Sequence, residues 1–393
     1  AAGGSVAGGV VSPPAGGGTA GWRGAGTAIQ VSAVNCVSGR RCGVTVALYL
    51  LLAATASTSV WAADRHALMV AVSRPIAIVD AEQLDGVHND LVAMRQLAER
   101  WGVPPQRLTV LQSGGAVEPT YAAVRRAMQA LLQRLRRGDE VLIYLTGHGS
   151  QQPVLASKPD EDEDDGLDEV FLLADTRPLP GPLSRFENAL VDNEMGAWMD
   201  AASARGAFVW LVVDACHAGT FERGAALATT AADEEFDVSA VKRVPMTVLG
   251  LPYPLTRKID AQHKRWLGGR KRHTADVVTP KKSAAMPAAQ HGVSADSQTL
   301  DDPAFVGFYA VQAGGNAEEV RNRRTGMKYS LFSSVLVKTF DAAVARKGAG
   351  AVSFEQLAKA VYTQYGQFRR SYPLPEFIGT DWSRPVLPPV SKP

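Results

Sequence analysis

Cysteine is scarce in this chain: three residues in 393, at positions 36, 42 and 216. A dominant charge is missing too. The 41 Lys+Arg against 39 Asp+Glu leave a formal net charge of +2, and mean hydropathy is -0.05. Nothing global therefore calls for nucleic acid or a membrane surface as partner. Acidic residues are absent from residues 1–35, which consist mainly of Ala, Gly, Val, Ser and Thr without clear periodicity. Such a stretch has little with which to build a core.

The apolar run from Gly43 to about Ala56 falls well short of the ~20 residues that cross a bilayer, which argues against a stable membrane span. Arg40-Arg41 precede it and the small residues of Val60-x-Ala62 follow, the order of a secretory signal peptide; a buried core helix is the alternative. The expectation is export to the periplasm or medium after cleavage near Ala62, with the residues before about Val37 lying upstream of the true start. That cleavage removes Cys36 and Cys42. The remaining Cys216 cannot form an internal disulfide, and an oxidising compartment endangers an idle thiol, so its retention points to use.

From about residue 63 the pattern alternates between apolar runs and helical periodicity. Strands are expected at Ala67–Val72, Arg107–Leu111, Val141–Leu145, Phe208–Val213 and Phe305–Val311. Helices are expected over Asn89–Trp101, from Glu118 to Gly138, around Glu194–Ala204, over Tyr329–Val344, and from the capping box Ser353-Phe-Glu-Gln356 to about Tyr365. This alternation predicts an α/β fold with a mostly parallel sheet covered by helices. In such sheets chemistry sits beyond the carboxyl ends of the strands.

Two motifs fall there: Tyr144-Leu-Thr-Gly-His148-Gly and Val213-Asp-Ala-Cys216-His-Ala-Gly. Amide hydrolysis needs a nucleophile for the carbonyl carbon and a proton for the departing amine. A cysteine thiolate and an imidazole supply these. The N–H groups of Gly149 and Cys216 are candidate oxyanion donors, because glycine lets the chain approach a substrate closely. Taken singly, His148 reads equally as a turn residue and Cys216 as a small core residue; the pair in strand context reads as a catalytic dyad. His217 points to the opposite face from Cys216 and is expected to be structural.

These two motifs together resemble the caspase-like peptidases, within them the metacaspase and bacterial orthocaspase branch. Gly86-Val-His-Asn-Asp90, Asp165-Gly-Leu-Asp-Glu169, Val191-Asp192-Asn-Glu, and the stretch from Phe308-Tyr-Ala-Val-Gln to Lys328-Tyr-Ser-Leu-Phe extend the resemblance over about 65–380, the centre excepted. The resemblance implies a caspase-like three-layer α/β/α sandwich with His148 and Cys216 as dyad. It also implies a pocket for a basic residue at the positions of Asp90, Thr146 and Asp214, with Thr146 standing where the family has serine. Independently, Asp214 lies two residues before the nucleophile, on the same strand face. A carboxylate there attracts Arg or Lys and repels Asp. Asp90 also reads as a helix-start charge.

No cofactor is expected to be required. The acidic run from Asp160 to Asp165 suits calcium or a solvated loop equally. Of the family's calcium carboxylates, one matches Asp192, but its neighbour is Asn193, and another falls on Arg223. Strict calcium dependence is therefore not expected, and the metal question stays open.

The segment 222–302 carries basic clusters, among them Lys242-Arg243, Arg270-Lys-Arg272 and Lys281-Lys282. It reads as a nucleic-acid or anionic-surface patch, or as an exposed linker that an Arg/Lys-directed peptidase cuts in itself. Part of it is also a candidate for covering the site until cut. The expected organisation is a leader over 1–62, caspase-like halves over 63–221 and 303–384 separated by that insertion, and a loose Pro-rich tail over 385–393. The leading function is an exported cysteine endopeptidase cutting protein or peptide substrates after Arg or Lys, without nucleic acid as partner. The alternatives are a legumain-like or gingipain-like specificity, or an inactive binding scaffold.

Overall fold

The computed structural model describes residues 63–154, 167–181, 184–216, 236–251, 304–311, 316–347, 352–367 and 374–387. The chain divides into Ala1–Trp61 and Ala62–Pro393, and all that follows concerns the second unit. The leader, Cys36, Cys42, the acidic run 160–165, His217 and Arg223 lie outside the described residues.

Five strands of continuous apolar sequence lie parallel: β1 (Arg65–Ala71), β2 (Leu108–Gln112), β3 (Glu140–Thr146), β7 (Phe208–Asp214) and β9 (Phe305–Tyr309). The short β12 (Glu376–Gly379) closes one edge antiparallel to β9, in the order β12-β9-β7-β3-β1-β2. Side chains alternate between the two faces, and this sorts the core. Met69, Leu142, Tyr144, Phe208, Trp210 and Val212 face one cluster, whereas Leu68, Val70, Val141, Ile143, Val209 and Leu211 face another.

Helices α1 (Val87–Trp101), α4 (Leu331–Lys347) and α5 (Phe354–Gln367) supply the first cluster with Leu91, Met94, Trp101, Phe332, Phe340, Phe354 and Leu357. Helices α2 (Tyr121–Arg134) and α3 (Asp192–Ser203) supply the second with Val124, Met128, Leu131, Trp198 and Met199. The result is three layers, α/β/α. Trp210 anchors the first interface, meeting Trp101, Phe308 and Phe354 edge-on at ring centroid distances of 5.0–5.7 Å. The predicted capping box forms reciprocally: the Ser353 N–H donates to Gln356 Oε1, and the Gln356 N–H donates to Ser353 Oγ.

Two small sheets stand beside the main one. One joins β4 (Gly149–Pro153), β5 (Leu167–Leu179) and β6 (Arg185–Val191); the other joins β8 (Phe236–Val241), β10 (Glu318–Asn322) and β11 (Lys328–Ser330). Three expectations are corrected, two of them by the β8 sheet. Tyr329 belongs to β11, and helix α4 begins only at Leu331. Residues 236–251 are not an exposed linker: β8 pairs with β10, and Val244, Met246 and Leu249 are buried. The Pro-rich end is not loose where described, because Val386 is buried and its N–H donates to Val352 O.

Candidate active site

Strands β3 and β7 run in register, so Thr146 and Asp214 face each other at their carboxyl ends. By alternation both lie on the face shared with Tyr144 and Val212, which is covered by α1 and α4. Asp90 comes down from the first turn of α1 onto the same spot. Gly86, one residue before that helix, has no room for a side chain. A Cβ there would stand 2.8 Å from the Tyr329 backbone. That close approach lets β11 meet the helix start, so that the Ser330 N–H donates to Asp90 Oδ1 at 2.8 Å. Asp90, Thr146 and Asp214, widely separated in sequence, thus form one buried cluster.

The cluster is filled by the chain itself. Lys242, the residue after β8, is fully buried. Its ammonium lies 2.9 Å from Asp214 Oδ1 and 3.8 Å from Asp90 Oδ2, and it donates to Thr146 Oγ1 at 2.8 Å. Asp214 also accepts from the hydroxyls of Ser330 and Ser333. The Ser333 hydroxyl lies 2.7 Å from the Tyr144 hydroxyl. Burial raises Asp90 to about 8, against the lowering pull of Lys242. Sequence reading missed both serines, since a serine at a strand-to-helix junction gives no local sign of burial.

The main chain of Lys242 is held as firmly. Its carbonyl oxygen accepts from the N–H of Gly149 at 3.1 Å and of Cys216 at 3.2 Å, the two groups expected as oxyanion donors. Gly149 has to be glycine, because a Cβ would lie 1.9 Å from Cys216 O. On the near side, the Lys242 N–H donates to Ala317 O at 2.9 Å. Beyond the Lys242–Arg243 bond, the Val244 N–H donates to Gly149 O at 3.0 Å and Ser150 Oγ donates to Val244 O at 2.6 Å. An extended peptide thus crosses the ends of β3 and β7, basic side chain in the carboxylate cluster and carbonyl on two N–H groups.

His148 and Cys216 flank this peptide from the turns after β3 and β7, and both are buried. His148 Nε2 is 2.7 Å from Glu82 O. A carbonyl only accepts, so Nε2 carries the hydrogen and Nδ1 keeps the lone pair. Nδ1 is buried without a hydrogen-bond partner, so imidazole and thiol are not bonded to each other. The Cys216 sulfur instead accepts from the Ala317 N–H at 3.1 Å. Burial lowers His148 to about 4 and raises Cys216 to about 12, so both are neutral at pH 7. As closed, the site holds a thiol rather than a thiolate.

Among the described residues, Asp64, His66 and Asp139 are grouped closely enough for a metal ion, at the amino ends of β1 and β3 and therefore at the far end of the sheet from Cys216. Asp192 and Asn193 occupy the first turn of α3.

A helix-covered parallel sheet with histidine and cysteine at adjacent strand ends defines a caspase-like α/β protein. Residues 65–223 match the model of the metacaspase, peptidase C14 domain, and over that stretch the chain is a caspase-like, metacaspase-type domain. It is 33% identical over 141 residues to Metacaspase-1B of Aspergillus oryzae, covering 35% of this chain and 31% of that protein. It is 26% identical over 158 residues to Metacaspase-7 of Arabidopsis thaliana, covering 39% and 35%. The chain thus spans about a third of the length of these curated relatives. Among solved structures, Caspase-1 from Spodoptera frugiperda aligns over 84% of this chain and 92% of its own, at 10% identity and TM-score 0.44.

Proposed function

We propose that this protein is a cysteine endopeptidase that cuts after Lys or Arg and processes itself at the Lys242–Arg243 bond. The observation that carries the reading is the seat of Lys242, with its ammonium among Asp214, Thr146 and Asp90 while its carbonyl oxygen meets the N–H groups of Gly149 and Cys216. Cys216 Sγ attacks the carbonyl carbon, and the oxygen gains negative charge against those two N–H groups. Their 3.1–3.2 Å distances are at the long end for a ground state and shorten as charge develops. His148, held by the Glu82 carbonyl, takes the thiol proton at Nδ1 and passes it to the leaving amine. A carboxylate-lined pocket disfavours Asp before the cut, which weighs against animal-caspase specificity.

Export after removal of a leader near Ala62, and catalysis without a required calcium ion, belong to the same proposal. Among the described residues no helix is long and apolar enough to cross a membrane.

The test is hydrolysis of fluorogenic peptides ending in Arg, Lys, Asp or Asn, with and without calcium, beside a Cys216→Ala control. Turnover of the Arg and Lys peptides that vanishes in the control is expected, together with a new amino terminus at Arg243. Preference for Asn would favour the legumain-like alternative. Silence on every peptide, with 242–243 intact, would favour a binding scaffold.

A further inference from the structure

The residues before Lys242 carry an inference about which substrates fit, and it rests on the peptidase reading. Strand β8 lies antiparallel on β10, with Ala240 opposite Glu319 and a bulge that leaves Ser239 between paired positions. Ala240 is 4% exposed and packed into the core cluster, so nothing larger fits beside it. Glu319 is fully buried; its Oε2 accepts from the Gly86 N–H at 2.6 Å, and its Oε1 accepts from the Ser239 hydroxyl at 2.9 Å. When the segment leaves, that carboxylate oxygen loses its donor, and a buried acceptor without a partner penalises any ligand that cannot replace it. We propose that Glu319 is a specificity-determining residue, selecting substrates with a small third residue and a hydroxyl-bearing fourth residue before the cut.

Peptides Ser-Ala-Val-Lys, Val-Ala-Val-Lys and Ser-Leu-Val-Lys, each with a fluorogenic leaving group, test this against the full chain. Removing the hydroxyl or enlarging the alanine is expected to lower kcat/KM about tenfold or more. In the chain itself, Ser239→Val and Ala240→Leu are expected to slow the cut at 242–243 similarly, followed by intact mass. Equal turnover of the three peptides overturns the assignment. Loss of all turnover with the 242–243 bond intact is a failure of the peptidase reading instead.

A separate observation concerns the far side of the bond. The leaving half of a substrate ordinarily diffuses away, but here it is built into the fold. Besides the two hydrogen bonds of Val244, Arg243 is bridged to Gly149, and Val244 and Leu249 are buried with Ile78, Ala81, Leu172 and Phe186. We infer that breaking the 242–243 bond does not by itself open the site, because residues 236–249 stay clamped on both sides of it. In the cut, a Sγ–C bond forms and the C–N bond to Arg243 breaks, with the proton going from His148 to the new amine. The clamp keeps that amine in place. Its return to the thioester, giving the proton back to His148, rebuilds the peptide and competes with water. Oriented groups reach effective concentrations on the order of 10⁵ M or more, far above that of water. Hydrolysed chains keep Lys242 in the pocket as bound product.

The test follows the cut fraction by intact mass and counts open sites with a covalent thiol-directed Lys analogue, in wild type and in Leu249→Asp. Wild type is expected to show many more cut chains than open sites. In H₂¹⁸O its uncut chains should acquire label at Lys242, read in a chymotryptic peptide spanning the bond. Leu249→Asp is expected to raise open sites per cut chain about tenfold. One open site per cut chain in wild type, with no label in uncut chains, overturns the inference whether or not the variant folds. A chain neither cut nor reactive refutes the peptidase reading on which it rests.

Discussion

Replacing Lys242 by methionine removes one charge from a sealed cluster while nearly preserving volume. Lys242 and Asp214 are both fully buried and lie 2.9 Å apart, so the change leaves a carboxylate without its cation. Breaking a buried pair in this way costs roughly 3–5 kcal/mol. Here the lower end applies, for two reasons. Asp214 keeps the hydroxyl donors Ser330 and Ser333, and Asp90, already pushed up to about 8, takes a proton readily. In a Cys216→Ala background, which lacks the proposed nucleophile, a loss of ~3 kcal/mol lowers the thermal midpoint by about 6–10 °C for a domain of this size. Adding Asp214→Asn to Lys242→Met removes the stranded charge, and most of the loss should return. Differential scanning fluorimetry on the three proteins measures this. A midpoint within about 2 °C of the parent for Lys242→Met, or no recovery in the double variant, would refute a charge-paired pocket.

Further outcomes follow from the same site. His148, depressed to about 4 in the fold, stays neutral while the unfolded chain protonates near 6.5. Stability therefore rises with pH between those values and is lost as pH falls through about 4. The span is worth about 3 kcal/mol, and urea titrations should find it reduced in His148→Gln. Cys216, raised to about 12, holds roughly three thiolates in 10⁵ at pH 7.5, so iodoacetamide should label the closed chain about 10³-fold more slowly than a free cysteine. Gly149→Ala drives a Cβ into Cys216 O and displaces the proposed oxyanion donor; a loss of about 10²–10³ in kcat is expected in a peptide assay. Gly86→Ala pushes β11 off α1, and a midpoint drop of several degrees should be measurable by calorimetry, with turnover of Lys peptides falling alongside.

Much of the frame was legible because its signals are local. β3 and β7 are unbroken apolar runs, and the residues that end them are the histidine and cysteine turns. Parity along β7 puts Asp214 on the face where Lys242, Ser330 and Ser333 meet it. Lys242 was not legible. Its neighbours Arg243 and the basic stretch beyond look solvated, and its partners Asp90 and Asp214 are remote in sequence. β8 was hidden for a related reason. Phe-Asp-Val-Ser-Ala-Val alternates like a half-buried strand, but the bulge opposite Glu319 and Val320 breaks the phase, burying Phe236 and Ala240 while Val238 stays exposed. Charge composition reports what a segment prefers in water, not what a distant carboxylate pair offers it.

The pairing of β8 with β10 has a consequence for the molecule's company as well as its chemistry. β8 is an outer member of its sheet, so carrying it off uncovers the side of β10 that faces it, with the N–H and C=O groups that had bonded to β8. An uncovered sheet margin invites any extended chain, a second copy included. Opening this protein therefore creates an adhesive margin that the closed form lacks, and self-association that grows with concentration should be stronger in the opened form.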